Sequence, residues 1–176
     1  MVEQLEQLKY PIGKFRFPGH YDDATRKRYK QQISELPAKL RSLTENLSEE
    51  ELNRPYRRGG WTVRQVIHHL ADSHLNSIIR FKLALTEEAP TIKPYKEAAW
   101  ANLPDVAKTP IVVSLQLLEA LHMRWSNLLD SFSEAEWQRK VFHPERNGNV
   151  TLEEFLGLYA WHGEHHLEHI RIALRG

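Results

Sequence analysis

The 176-residue chain contains no cysteine. That absence excludes disulfides, thiolate metal ligands and a cysteine nucleophile together, so any thiol chemistry has to come from a substrate. The chain also lacks an uninterrupted apolar run of about 18 residues, the length a membrane-spanning helix needs. Its opening residues, MVEQLEQLKYPIGKF, carry charges where a secretion signal needs an apolar stretch. A soluble, cytoplasmic protein without a membrane partner is the expectation. An excess of one charge is missing too: 24 basic residues stand against 23 acidic ones, for a net charge of +1. The short basic runs Arg26 to Lys30 and Arg54 to Arg58 have Asp and Glu close by, and the balance argues against nucleic acid as a partner. There is no internal repeat and no low-complexity tract, and the length suits one domain over residues 1–176.

Histidine, by contrast, is plentiful. Four of the ten histidines fall within the eight residues His162-Gly163-Glu164-His165-His166-Leu167-Glu168-His169. Neutral imidazole is the commonest protein ligand for zinc, nickel and related ions, and two residues four apart on a helix stack on one face where both reach one ion. With no thiolate available, histidine, carboxylate and water must build any metal site.

The organisation is helical. Capping-box patterns, Ser or Thr followed three residues later by Glu or Gln, occur at Ser48 to Glu51, Thr62 to Gln65, Ser133 to Glu136 and Thr151 to Glu154. Thr109 ahead of Pro110 marks another start, a capping side chain before a proline at the first helical position. Long helices are expected near 22–45, 62–88, 110–131 and 151–174, which makes the fold class all-α, a four-helix bundle with short connecting helices. Pro37 should kink the first or split it in two. Residues 89–94 read as a linker, 141–150 as a small hairpin around Asn147-Gly148, and residues 1–20 as an irregular N-terminal arm wrapping the bundle.

At about 100° per residue, Leu152, Phe155, Tyr159, His162, His166, Ile170 and Ala173 share one stripe of the last helix. His162 and His166 therefore project inward among apolar side chains, while His165 and His169 form a second pair on the flank, read as exposed. His165-His166-Leu167-Glu168-His169 also fits the H-x-x-E-H pattern of one zinc-protease class, a short pattern to meet in a histidine-rich stretch. A third ligand is expected from another helix, with His68, His69 and His74 as candidates. The apolar stripe Val63, Val66, Leu70, His74, Ser77 and Phe81 favours His74 and leaves His69 to one side, so periodicity leaves the choice open. His20, His122 and His143 read as surface or capping histidines. Tyr159 and Trp161 read as core or pocket wall, and Glu164 and Glu168 as solvated.

Trp61-Thr62-Val63-Arg64-Gln65-Val66-Ile67-His68-His69-Leu70-Ala71-Asp72 resembles the W-[ST]-x-R-x-x-x-x-H-L-A-D signature of the DinB/YfiT-like superfamily, and His162-x-x-His165-His166 resembles its H-x-x-H-H element. Tyr10 to Phe15, Arg80 to Leu83 and Gly157 to Tyr159 look like the YfiT branch in particular. The resemblance implies a four-helix bundle, usually a homodimer, holding one divalent metal through three histidines, which fall here on His69, His162 and His166. It implies a metal-dependent hydrolase, or a thiol S-transferase using bacillithiol, acting on a small-molecule substrate. Zinc or nickel is the expected metal. Asp72, one helical turn beyond His69, is a candidate to orient its imidazole. The competing class is a non-catalytic metal-dependent binding or stress-response module, which would close the metal with a fourth protein ligand.

Overall fold

The computed structural model describes residues 2–175. The described elements are α1 (Val2–Lys9), α2 (Asp23–Thr44), α3 (Glu49–Leu52), α4 (Val63–Thr86), α5 (Glu97–Trp100), α6 (Pro104–Lys108), α7 (Ile111–Asp130), α8 (Glu134–Trp137), β1 (Lys140–His143), β2 (Gly148–Thr151) and α9 (Leu152–Arg175). The four long helices thus lie within two residues of their expected bounds. No described helix is long and apolar enough to cross a membrane.

Most of the expected start signals operate. Ser48 and Thr62 each accept from the backbone N–H three residues on, while Glu51 and Gln65 reach back to the cap N–H, and Glu136 accepts from the Ser133 N–H and hydroxyl. Two signals are corrected. At Thr151 only half a box forms: its hydroxyl accepts from the Glu154 N–H, but Glu154 turns away to pair with Arg146. Pro110 itself occupies the cap position of α7 without a side-chain cap, because Thr109 ends α6 with its own N–H bonded to Asp105. The expected hairpin forms as antiparallel β1 and β2, turned through a 3-10 segment Pro144–Arg146 and a left-handed Asn147.

Two further expectations are corrected. Residues 2–9 of the supposedly irregular arm are helical; from Tyr10 to Tyr21 the chain has no regular structure and crosses α9, with the Trp161 indole donating to the Gly13 carbonyl at 3.1 Å. Nor does Pro37 split α2, which runs unbroken through it. What the proline removes is the N–H that would have bonded the Ile33 carbonyl four residues back.

Helix α2 packs against α7 and α9, and α4 packs against the same two. Hence α2 and α4, consecutive among the long helices, occupy opposite corners, as do α7 and α9. This order lays α4 along α9 and places α7 on α4's other side. Two apolar clusters fill the interior, one around Phe81, Trp125 and Phe155, the other around Leu40, Ile67, Leu118 and Ile170. Burying each such side chain stabilises the fold by roughly 1.5–3 kcal/mol. Between the clusters lies a polar level made of His74 on α4, His122 on α7 and His162 to His166 on α9, to which α2 adds the Ile33 carbonyl.

Candidate metal centre

Because α4 lies along α9, His69 faces His162 and His166 across the helix contact. Each offers a ring nitrogen, and the three nitrogens lie within 4.8 Å of one another. Among the described residues no other His, Asp or Glu joins the group. His69 and His166 are buried, whereas His162 is partly open. The Nε2 atoms of His69 and His162 stand 3.2 Å apart. Two nitrogens on one tetrahedral zinc, each at about 2.0–2.1 Å, would be about 3.3 Å apart, so the spacing fits a shared ion.

Electrostatics favours the ligand-competent form of the rings. Burial holds His69 down to about 4, with His169 nearby adding to the effect. Burial likewise puts His162 and His166 well below the ordinary histidine range, and neighbouring imidazoles push the same way. All three are neutral at pH 7, and a neutral imidazole keeps a lone pair for a metal.

The group opens on a cleft of about 540 Å³. Its walls include Tyr10, Tyr56, Trp61 and Trp161, the cations Lys9 and Arg57, and one carboxylate, Glu97. Trp61 lies 4.6 Å from His69, centroid to centroid, and lies nearly parallel to the His166 ring at 6.3 Å. Sequence periodicity missed Lys9, Tyr56, Arg57 and Glu97 because all four come from outside the long helices; the aromatic and basic character of Tyr56-Arg57-Arg58 just before the tight Gly59-Gly60 turn was the available signal.

The other histidines depart from expectation. His165 and His169, read as an exposed flank pair, are 6% and 3% exposed. The N-terminal segment covers that flank: His169 Nε2 lies 3.3 Å from the Lys9 carbonyl, and the Tyr10 ring lies beside His165. His165 also stacks on Trp161, and burial pushes it down to about 3. His122, read as a surface residue, is 1% exposed in the bundle interior. His74, which the stripe favoured as third ligand, lies behind His162, its Nε2 3.1 Å from His162 Nδ1, while its Nδ1 is 2.8 Å from His122 Nε2. His68 bonds Ser114 on α7 at 2.8 Å, and exposed His20 pairs with Glu153. His143, at the end of β1, is partly buried. Glu164 and Glu168 point outward into ion pairs with Lys39, Arg171 and Arg175. Asp72 is half-buried, and among the described residues its carboxyl bonds no imidazole; burial, with Asp105 nearby, raises its pKa.

Comparison with known proteins agrees with this architecture. The family model described as the DinB superfamily matches residues 32–170. A Bacillus mycoides protein whose name describes it as a candidate metal-dependent hydrolase is 51% identical over 166 residues, covering 94% of this chain and 95% of the relative. A Bacillus cereus protein named in the same way matches at 51% with the same coverage. The structure of YfiT from Bacillus subtilis, described as a probable metal-dependent hydrolase with an unusual four-helix bundle topology, superposes with a TM-score of 0.93 at 46% identity, covering 96% of this chain and 97% of that one. The chain therefore belongs to the DinB/YfiT-like superfamily.

Proposed function

We propose that this protein is a metal-dependent enzyme in which His69, His162 and His166 hold one divalent ion, zinc or nickel, at the base of the 540 Å³ cleft. The observation that carries the reading is the convergence of three neutral imidazoles with no fourth ligand among the described residues, the donor set of a catalytic rather than a structural site. The names of the Bacillus relatives support the same class. When bound, such an ion supplies Lewis acidity that brings the pKa of water from about 16 toward about 7 and favours deprotonation of a thiol.

The chain's own residues do the rest. Aromatic walls from Tyr10, Tyr56, Trp61 and Trp161 shield the base of the cleft and give an organic substrate flat surfaces to lie against. Glu97 is the carboxylate of the cleft wall and is assigned the proton from the nucleophile. Lys9 and Arg57 add cationic groups to the lining, which favours a substrate with an anionic group. With water as nucleophile the activity is hydrolysis.

The cationic lining groups and the absence of cysteine support a second version of the same chemistry, transfer of an acidic low-molecular-weight thiol such as bacillithiol to an electrophile. One assay separates the two: single-turnover reaction of metal-loaded protein with a generic electrophile, with and without the thiol, beside a panel of esters and amides and a His166→Ala control. Metal-dependent thiol consumption lost in the variant establishes the transferase. Metal-dependent ester or amide cleavage without thiol establishes the hydrolase. Turnover in neither assay, with metal bound, overturns the enzyme reading in favour of a binding module.

A further inference from the structure

Three buried histidines, His74, His122 and His169, hold no position in the metal group, yet each lies one or two hydrogen bonds behind a ligand. The contacts run from Ile33 outward. Pro37 leaves the Ile33 carbonyl without its helical donor, and His122 Nδ1 takes that place at 2.6 Å. His122 Nε2 lies 2.8 Å from His74 Nδ1, and His74 Nε2 lies 3.1 Å from His162 Nδ1. A carbonyl oxygen only accepts, and a neutral imidazole carries one N–H. His122 must therefore donate from Nδ1, which makes its Nε2 an acceptor. His74 in turn donates from Nδ1 and accepts at Nε2, so the His162 proton sits on Nδ1. The lone pair of His162 is left on Nε2, the atom that faces His69.

The second ligand of α9 is set in the same way from the other side. Lys9 is the last residue of α1, where helix carbonyls lack intrahelical donors. Its carbonyl lies 3.3 Å from His169 Nε2, and His169 Nδ1 lies 3.3 Å from His166 Nδ1. Nε2 of His169 donates, its Nδ1 accepts, and the His166 proton is placed on Nδ1 with the lone pair on Nε2. Stacking on Tyr56, with ring centroids 3.9 Å apart, holds the His169 ring in register for both bonds.

We infer that His74, His122 and His169 are positioning residues, two histidine chains anchored on the Ile33 and Lys9 carbonyls that fix His162 and His166 as Nδ1–H tautomers and aim their Nε2 lone pairs at a common point. Their absence from the metal group is then functional: outer partners of this kind fix ring orientation, and losing one commonly weakens metal affinity about 10–100-fold. The inference rests on the metal-site reading above, and its first test does not require metal. Long-range ¹H–¹⁵N correlation spectra of the metal-free protein at neutral pH should show the proton on Nδ1 in His74, His122, His162 and His166, and on Nε2 in His169. His122→Phe should release His162 to an Nε2–H population and weaken zinc binding, measured by chelator competition, about 10–100-fold. His169→Phe should do the same through His166, while leaving His162 unchanged. An Nε2–H tautomer at His162 or His166 in the wild type overturns the inference, as does wild-type zinc affinity in both variants. If the wild type shows the full tautomer pattern but binds no zinc, the metal-site reading fails and the hydrogen-bond chains stand without a metal to serve.

Discussion

His69 and His162, 93 residues apart in sequence, turn their Nε2 atoms toward each other at 3.2 Å across the contact between α4 and α9. A neutral imidazole carries one N–H and one lone pair, so without an ion this contact is a hydrogen bond in which one ring donates, and with both lone pairs turned inward the same spacing suits a shared ion.

Removing a ligand separates metal binding from folding. His166→Ala is expected to abolish stoichiometric zinc binding, read by elemental analysis after dialysis. The metal-free variant should keep its helical circular dichroism, because both apolar clusters survive the change. Collapse of the fold together with metal binding would point to a structural ion.

Glu97 is assigned a proton-transfer role without a metal contact. Glu97→Gln should therefore leave the zinc dissociation constant unchanged and lower turnover about 10²–10⁴-fold. Steady-state kinetics beside a zinc titration checks both halves, and unchanged turnover would remove Glu97 from the chemistry.

The buried histidines tie stability to pH. Burial lowers His122 from 6.5 to about 4, and His69 behaves alike. As pH falls below 6.5 the unfolded chain takes up protons that the folded one refuses until about 4, so stability is full above that window, falls within it and levels off below it. For His122 this amounts to about 3 kcal/mol across the whole window. Urea midpoints of the metal-free protein should fall between pH 7 and pH 5; constant midpoints would contradict the neutral, buried state of these rings.

Glu153, 1% exposed, anchors the N-terminal segment to α9. Its carboxylate accepts from the Tyr21 N–H at 3.1 Å and pairs with His20, with Arg26 4.0 Å away. Glu153→Ala leaves the buried Tyr21 N–H without its acceptor, while Arg26 keeps Asp23 and Glu134 and the exposed His20 turns to water, and should cost about 1–3 kcal/mol. A loss under about 0.5 kcal/mol in chemical denaturation, the usual range for a surface substitution, would show the anchor to be unimportant.

Much of this was legible in the residues. Cap signals and periodicity located the long helices because those effects are local, and the angular stripe on α9 placed His162 and His166 inward for the same reason. The same method favoured His74 over His69 because it assumes one buried face. The first half of α4 is buried on several faces, among α3, α6, α7 and α9, so Val63 to Ala71 is almost continuously covered and a single stripe means little. The family signature points to His69, which periodicity leaves to one side and which the fold brings beside His162 and His166. His122 and His169 were misread because their partners, a carbonyl freed by a proline in another helix and the last carbonyl of α1, are tertiary facts. Pro37 looked like a break, and its consequence is a vacant acceptor.

The central claim is tested most directly by anomalous diffraction at the zinc edge from crystals of the zinc-loaded protein. The expected result is one peak per chain, bonded to Nε2 of His69, His162 and His166 with no fourth side chain on the ion. A peak on His165 and His169 instead, or a fourth protein ligand closing the site, would contradict it.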